Sequence, residues 1–305
     1  MDALPSVSVI VATWRRAEPL ALVLEDLARQ AGVRTEVVVV DQNDPPMEEA
    51  VYGRFRESGH GLQVLTRAPG VVAARNAGAA ISSGDVVVFI DDDVRIDDGH
   101  FLEKHARNYL DAGLAGVCGQ ELSPPDFRAS QVEAPVFGDA FEEAMFFPRA
   151  SSARREVFHL VTCNCSIRRT AWEQVGGLDM LYAGNSYGDD YDLALRMRAA
   201  GLRLVFDPEP SVRHTHAPMG GLRLADPRNS FTEAEKYVSL WRFFFRHVPR
   251  RWRRWYLHNA ILRKSLLLRR NAMRPWRWPA IVAGLAISWA QARAADQRER
   301  ARASA

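Results

Sequence analysis

With 305 residues, 47% of them apolar and 25% charged, the chain can bury a large core, which excludes intrinsic disorder for its body. The net charge of +3 hides an asymmetry. No Asp or Glu occurs from Lys236 to Ala295, and 13 Arg and Lys fall between Arg242 and Arg293, so the rest of the chain carries 27 basic against 37 acidic groups. An acidic body with a basic end points to an anionic partner for that end.

Residues 1–6 lack the basic and apolar regions of a signal peptide, so a cytoplasmic location is expected. Val7 to Ala12 (VSVIVA) is an unbroken β-branched run, predicting a strand covered on both faces. After polar Thr13 to Arg16, Pro19 suits a first helical turn, and Leu20, Val23, Leu24 and Leu27 share one helical face, with Gly32 as stop. Glu36 to Asp41 is a second buried strand ending in an acid, and Gln63 to Thr66 a third. Val72 to Ile81 is Ala-rich and helical, and Val86 to Ile90 is a fourth strand running into Asp91, Asp92 and Asp93. This alternation predicts an α/β fold with a mostly parallel, doubly wound sheet flanked by helices. Ligands of such sheets bind beyond the carboxyl ends of the strands, where Thr13, Asp41 and the triple acid fall.

Leu122 to Arg155, with four prolines, reads as loops and short elements forming a lid or acceptor wall. Phe158 to Ile167 resumes β character, and Cys163 and Cys165 read as two small buried side chains on one strand face. Of three cysteines, none forms a CxxC pair, which argues against a disulfide framework or a zinc site. Tyr187 to Gly201 is a helix opening on Asp189 and Asp190. Leu202 to Phe206 is a strand that Asp207 and Pro208 are expected to close.

Three adjacent carboxylates oppose folding unless a cation answers them, and oxygen ligands suit Mg²⁺ or Mn²⁺. Arg75, in Gly70…Arg75-Asn76-Ala77-Gly78, is placed to bind phosphate, with the glycines allowing close backbone approach. The acids Asp179, Asp189 and Asp190 act as helix caps or supply a general base. His214 and His216, in Val212-Arg213-His214-Thr215-His216, point the same way on an extended segment, and one can ligate a metal.

These pieces together resemble the family 2 glycosyltransferases, which have the GT-A fold. The resemblance runs over about residues 6 to 220 and rests on VSVIVATWRR (7 to 16), VVVVDQND (37 to 44), GVVAARNAGAAISSGDVVVFIDDDV (70 to 94), CSIRRTAWEQVGGLD (165 to 179) and GDDYDLALRMRAAGLRLVFDPEPSVRH (188 to 214). It implies a GT-A domain over 1–225, with a nucleotide-sugar half (1–120) and an acceptor half (121–225), followed by a basic, aromatic-rich helical segment (226–305). It further implies that Thr13, Asp41, Arg75, Asp91 and Asp92 bind the donor, a UDP- or dTDP-sugar, and that Asp91, Asp93 and His214 hold Mg²⁺ or Mn²⁺. Asp190 matches the family's base, and Asp179 and Asp189 are expected at the acceptor, a glycan or lipid-linked molecule. Asp189 replaces the family's usual Glu, and Ala12-Thr13-Trp14-Arg15 replaces its Pro-Thr-Tyr-Asn. The Gln-x-x-Arg-Trp of processive synthases is missing, which favours transfer of single sugars. The resemblance itself implies inversion, and a setting in cell-envelope or extracellular glycan synthesis.

The basic segment interleaves Arg with Trp and Phe from Trp241 to Trp278, and Pro279 to Ala290 is apolar but too short to span a bilayer. Two roles fit: docking on an anionic membrane through 241–293, at the inner face of the cell membrane, or a helical lid packed on the acidic body. No nucleic-acid fold accompanies it, so no nucleic-acid partner is expected. The chain beyond Asp296 is expected to fray. A rival reading is a non-catalytic membrane-binding module retaining a transferase-like fold. A dehydrogenase is excluded by the lack of a GxGxxG after the first strand.

Overall fold

The structure is a computed structural model that describes residues 3–124, 134–182, 184, 186–221 and 232–303. Its strands are β1 (Val7–Thr13), β2 (Thr35–Asp41), β3 (Gly61–Thr66), β4 (Val86–Asp91), β5 (Val94–Arg95), β6 (Leu114–Leu122), β7 (Arg155–Glu156), β8 (Asn164–Arg168) and β9 (Arg203–His214). Its helices are α1 (Ala17–Ala28), α2 (Gly53–Arg56), α3 (Val71–Ile81), α4 (Phe101–Arg107), α5 (Ala140–Phe146), α6 (Arg169–Val175), α7 (Asp189–Ala199), α8 (Glu233–His247), α9 (Arg253–Tyr256), α10 (Arg269–Ala272) and α11 (Trp278–Ala303).

The strands form one sheet in the order β3-β2-β1-β4-β8-β6-β9-β5, with β7 on β9. The first four are parallel to one another, and β6 and β9 are parallel to each other. Between these two parallel groups lies β8, antiparallel to both β4 and β6. The doubly wound, mostly parallel sheet read from the sequence is therefore present, with β8 reversed at its centre and the short β5 and β7 antiparallel to β9.

The β-branched runs are buried on both faces because alternate residues enter different cores. Val7, Val9 and Val11 pack with Leu20, Val23, Leu24 and Leu27 of α1, whereas Ile10, Val38 and Val40 face the other side with Ala74 and Ala79 of α3. Gly78 lets α3 lie that close: a Cβ there would come within 2.6 Å of Ile10 Cγ2 and 3.0 Å of Val40 Cγ2. This contact fixes Arg75, one turn earlier on α3, over the carboxyl ends of β1 and β4.

The strand expected to close at Pro208 continues to His214. The two prolines sit where the β6–β9 register shifts, with Gly119 opposite Asp207 and Gln120 opposite Ser211. A bulge frees the backbone of these residues from the ladder, so proline is tolerated there. The extension carries His214 to the cluster at the end of β4.

The basic segment is not a separate layer over 241–256. Leu240, Phe243 and Tyr256 are fully buried in the same core as Ile10 and Phe89. Arg242 and Arg246 pair with Asp179 and Glu299. The packed-lid alternative therefore holds for this stretch, because its arginines neutralise acids of the body and its aromatics fill the core. The expected fraying after Asp296 is corrected too: α11 runs to Ala303, Asp296 is buried, and Glu299 is bound by two arginines. Among the described residues no helix is long and apolar enough to cross a membrane.

Candidate active site

A cavity of about 450 Å³ opens at the carboxyl ends of β1 and β4 and the start of α7. That volume is in the range of sites for small ligands and cofactors. Asp91, Asp92, Asp93, Arg75, Asp189, Asp190 and His214 all line it. The chain thus brings together residues more than a hundred positions apart, by ending one strand, opening one helix and extending another strand at one place.

Asp91, Asp93 and His214 each offer a ligand atom, and these atoms all lie within 4.8 Å of one another. His214 Nε2 is 3.4 Å from Asp91 Oδ2 and 3.7 Å from Asp93 Oδ1. Two carboxylate oxygens and an imidazole nitrogen converging at that spacing fit a divalent cation such as Mn²⁺ or Mg²⁺. Local positive charge also answers these acids. Burial works against the ionised form of Asp91, but the His214 hydrogen bond and Arg75 hold it well below the usual carboxylate range. Burial opposes a charged imidazole at His214, yet Asp91 and Asp93 raise it above its ordinary value.

Asp92 differs from its neighbours. Its Oδ1 accepts from Arg16 at 2.7 Å and its Oδ2 from Thr13 Oγ1 at 2.8 Å. Burial pushes it up to about 6, with Asp93 adding to the shift and Arg16 opposing it. Arg16 also reaches Asp93 at 3.1 Å and donates to the carbonyl of Met219, tying the chain after His214 to the acidic turn.

At the start of α7, Asp189 and Asp190 part ways. Asp189 faces Arg75 at 3.3 Å, and Arg75 in turn holds Asp91 at 2.7 Å, so one guanidinium bridges the two ends of the cavity. Asp190 Oδ1 accepts the backbone N–H of Tyr191, and among the described residues Asp190 makes no ion pair. Burial raises both carboxyls; their mutual repulsion adds at Asp189, and Arg149 and Arg75 restrain Asp190. A half-buried carboxylate with raised pKa and one unengaged oxygen is chemically able to accept a proton.

A protein-family model for glycosyl transferase family 2 matches residues 8–176. The chain belongs to that family. It is 28% identical over 232 residues to the succinoglycan biosynthesis protein ExoM of Rhizobium meliloti, covering 72% of this chain and 69% of ExoM. Some relatives are longer: this chain spans 30% of one that is 26% identical to it. Two solved structures share its fold. One is the mannosyltransferase PcManGT of Pyrobaculum calidifontis in complex with GDP-Man and Mn²⁺, at 19% identity and a TM-score of 0.56, covering 99% of this chain and 81% of that one. The other is S. aureus TarS 1-349 in complex with UDP-GlcNAc, at 16% identity and a TM-score of 0.62, covering 93% and 80%. At those identities the likeness shows the fold alone, and it is the GT-A fold.

Three expected contacts of this family 2 chain differ from the sequence reading. Thr13 is fully buried and spends its hydroxyl on Asp92 rather than facing the cavity. Asp41 is fully buried as well: its oxygens accept from Asn43 N, Met47 N and Tyr52 Oη, so it shapes the loop after β2. Asp179 lies outside the cavity lining and accepts from Arg242 at 2.8 Å and Arg246 at 3.1 Å, anchoring α8. In each case the fold itself supplies hydrogen-bond partners for the carboxylate or hydroxyl before any ligand arrives. The cavity is instead lined near β1 by Trp14, Arg16 and Gln42.

On the far side Arg149 and Glu121 pair at 2.6 Å, and Arg149 also reaches the Tyr191 hydroxyl at 3.3 Å. Cys163 donates to the same Glu121 at 3.3 Å, and burial keeps its thiol neutral. Arg149 falls in the stretch 122–155 that lacks periodicity, of which residues 125–133 lie outside the described residues. Gln42 and Arg16 lie within the quoted motifs at 37–44 and 7–16, and their positions just past strand ends are the signal that could have found them.

Proposed function

We propose that the chain transfers a single sugar, with inversion, from a UDP- or dTDP-sugar to a hydroxyl of a glycan or lipid-linked acceptor, in cell-envelope or extracellular glycan synthesis. The observation that carries this reading is one cavity holding both the Asp91–Asp93–His214 set and, across the Arg75 bridge, the uncommitted carboxylate of Asp190. The name of ExoM supports the glycan class, and nucleotide sugars in both solved relatives support the donor class. Because one of these carries a guanine nucleotide and the other a uracil nucleotide, the fold does not fix the base.

Asp91, Asp93 and His214 would hold Mg²⁺ or Mn²⁺, which when bound supplies positive charge against the donor diphosphate. Arg75, planar and fixed by Asp91 and Asp189, adds a guanidinium beside the same groups. Asp189 thus acts through Arg75, not on the acceptor directly. Asp190 takes the proton from the acceptor hydroxyl as its oxygen bonds in line to the anomeric carbon, while the bond from that carbon to the donor's diphosphate breaks and the nucleoside diphosphate leaves. Burial raises the basicity of Asp190, with Arg149 and Arg75 opposing part of that rise. Trp14 and Gln42 line the donor side, where the base and ribose would lie.

The test is calorimetric titration of UDP-, dTDP- and GDP-sugars, with and without Mn²⁺, on wild type and Asp93→Ala. Binding that needs the metal and is lost in the variant is expected. A folded wild-type protein that binds no nucleotide sugar overturns the reading.

A further inference from the structure

The C-terminal segment has two sides. Its inner side is spent on the body, through Phe243 and Tyr256 in the core and Arg242 and Arg246 on Asp179, Asp192 and Glu299. Its outer side is not. Leu267, Met273, Trp276, Trp278, Val282 and Trp289 are between 42% and 73% exposed, an unusual density of large apolar side chains for 23 residues of surface. Trp278, Val282 and Trp289 recur at spacings of four and seven along α11 and so share one face. Consecutive turns fold the stretch before them, with Leu267 N bonded to Leu262 O, Asn271 N to Leu268 O and Arg274 N to Asn271 O. Trp278 Nε1 donates back to Asn271 O at 3.1 Å and pins the turns to α11.

Charge accompanies this apolar surface. Arg250, Arg254, Arg263, Arg269 and Arg274 make no ion pair among the described residues, unlike the arginines of the inner side. No acid occurs in the sequence from Lys236 to Ala295 to answer them. A second copy meeting this face about a two-fold axis would set these charges against themselves. A nucleic acid would answer the charge but leave Leu267, Met273 and Val282 without an apolar partner. An anionic bilayer answers both, with Trp at the headgroup level and Arg on the lipid phosphates.

The face also has a fixed relation to the cavity. Lys264, between Leu262 and Leu267, places its ammonium 3.8 Å from the ring centroid of Tyr187, and Tyr187 lines the cavity beside Asp190. We propose that this outer face rests on an anionic lipid bilayer and seats the Asp190 end of the cavity at the membrane surface, where a lipid-anchored acceptor presents its hydroxyl. The docking stands on the surface alone; the identity of the acceptor rests on the transferase reading.

The experiment is flotation of the full chain with vesicles of phosphatidylcholine, alone or mixed with phosphatidylglycerol. Binding to the mixed vesicles and not to the neutral ones is expected. At about 1 kcal/mol per arginine near an anionic surface, Arg269→Gln with Arg274→Gln should weaken it roughly 30-fold. Trp276→Ser with Trp289→Ser should weaken it more than about tenfold. These side chains are exposed, so circular dichroism should show folded variants, and metal-dependent nucleotide-sugar binding should be unchanged. Equal binding to neutral vesicles, no binding by folded wild type, a dimer that dissociates in the Trp variant, or binding to duplex DNA in place of vesicles each overturns the proposal. Vesicle binding that survives Asp93→Ala while donor binding is absent even in wild type would sink the transferase reading and leave the docking intact.

Discussion

Asp91, Asp92 and Asp93 close a strand, whereas Asp189, Asp190 and Asp192 open a helix, and the two triplets are handled in opposite ways. At the strand end the chain concentrates charge: Asp91 and Asp93 converge with His214, and Arg16 and Arg75 stand against them. At the helix start the charge is dispersed. Asp189 turns to Arg75, Asp192 turns to Arg196, Arg246 and His247, and Asp190 is left to the cavity. Helical geometry does the sorting, since Asp190 and Asp192 are about 200° apart around α7. The difference teaches that a run of acids is not itself a site. What matters is which carboxylate the fold has left without a cation of its own, and which ones it gathers to share one.

If that division is right, the largest effect comes from the uncommitted carboxylate. Asp190→Asn should lower the transfer rate by about 10²–10⁴-fold while metal-dependent donor binding stays within a few-fold of wild type. Single-turnover transfer and calorimetry on the same preparation check it; a rate loss matched by lost donor binding would assign Asp190 to the donor instead. Next comes Asp192, whose side chain is fully buried. Asp192→Asn leaves Arg246 and His247 facing an amide, and a cost of about 3–5 kcal/mol is expected from thermal unfolding, because one partner of a buried ion-pair network is removed.

The same residue sets a pH dependence. Burial opposes its charge, but the His247 hydrogen bond, Arg196 and Arg246 hold it well below the ordinary carboxylate value. Its contribution is therefore fully present above about pH 4, the unfolded value, and is lost as pH falls toward the folded one. The unfolding temperature of wild type should drop on acidification below about pH 4, and Asp192→Asn should drop less over the same range.

The first triplet was legible in sequence and the second only in part, for a physical reason. A β-branched run followed by Asp91-Asp92-Asp93 fixes both the element and its end, since adjacent like charges at a strand terminus have few structural explanations. The helix start of α7 was equally visible, but which acid faces the cavity depends on Arg75 and on Arg246 and His247, 114 and more than 50 positions away. Asp179 was misread for that reason: its partners lie on α8, and nothing near it in sequence announces them. The basic segment was read as a whole, either docked on a membrane or packed on the body, because its composition is uniform from Trp241 to Trp278. Only the packing separates the arginines and aromatics that serve the core from those that face outward. Arg149 was out of reach altogether, because a proline-rich stretch without periodicity gives no element on which to place it.

Asp179 now offers a smaller test of the same contrast between spent and unspent acids. Asp179→Asn should cost about 1.5–3 kcal/mol, the usual worth of a hydrogen bond to a charged group, with Glu299 still holding Arg242 and Arg246. The acceptor KM should not move, and a raised KM at unchanged stability would return Asp179 to the acceptor.

The smallest effect is expected at Thr13. Thr13→Val keeps the shape and removes only the hydroxyl that donates to Asp92 at 2.8 Å. One buried oxygen then loses one of its donors while Arg16 keeps the other, so the cost should be about 1 kcal/mol in unfolding free energy. Because the hydroxyl does not reach the cavity, nucleotide-sugar affinity should change less than about threefold, the change that part of that 1 kcal/mol can produce through a shifted Asp92. An affinity loss beyond about tenfold at that small stability cost would mean that Thr13 turns to the donor when it binds. The acids at the end of β4 would then be rearranged by the ligand rather than held ready for it.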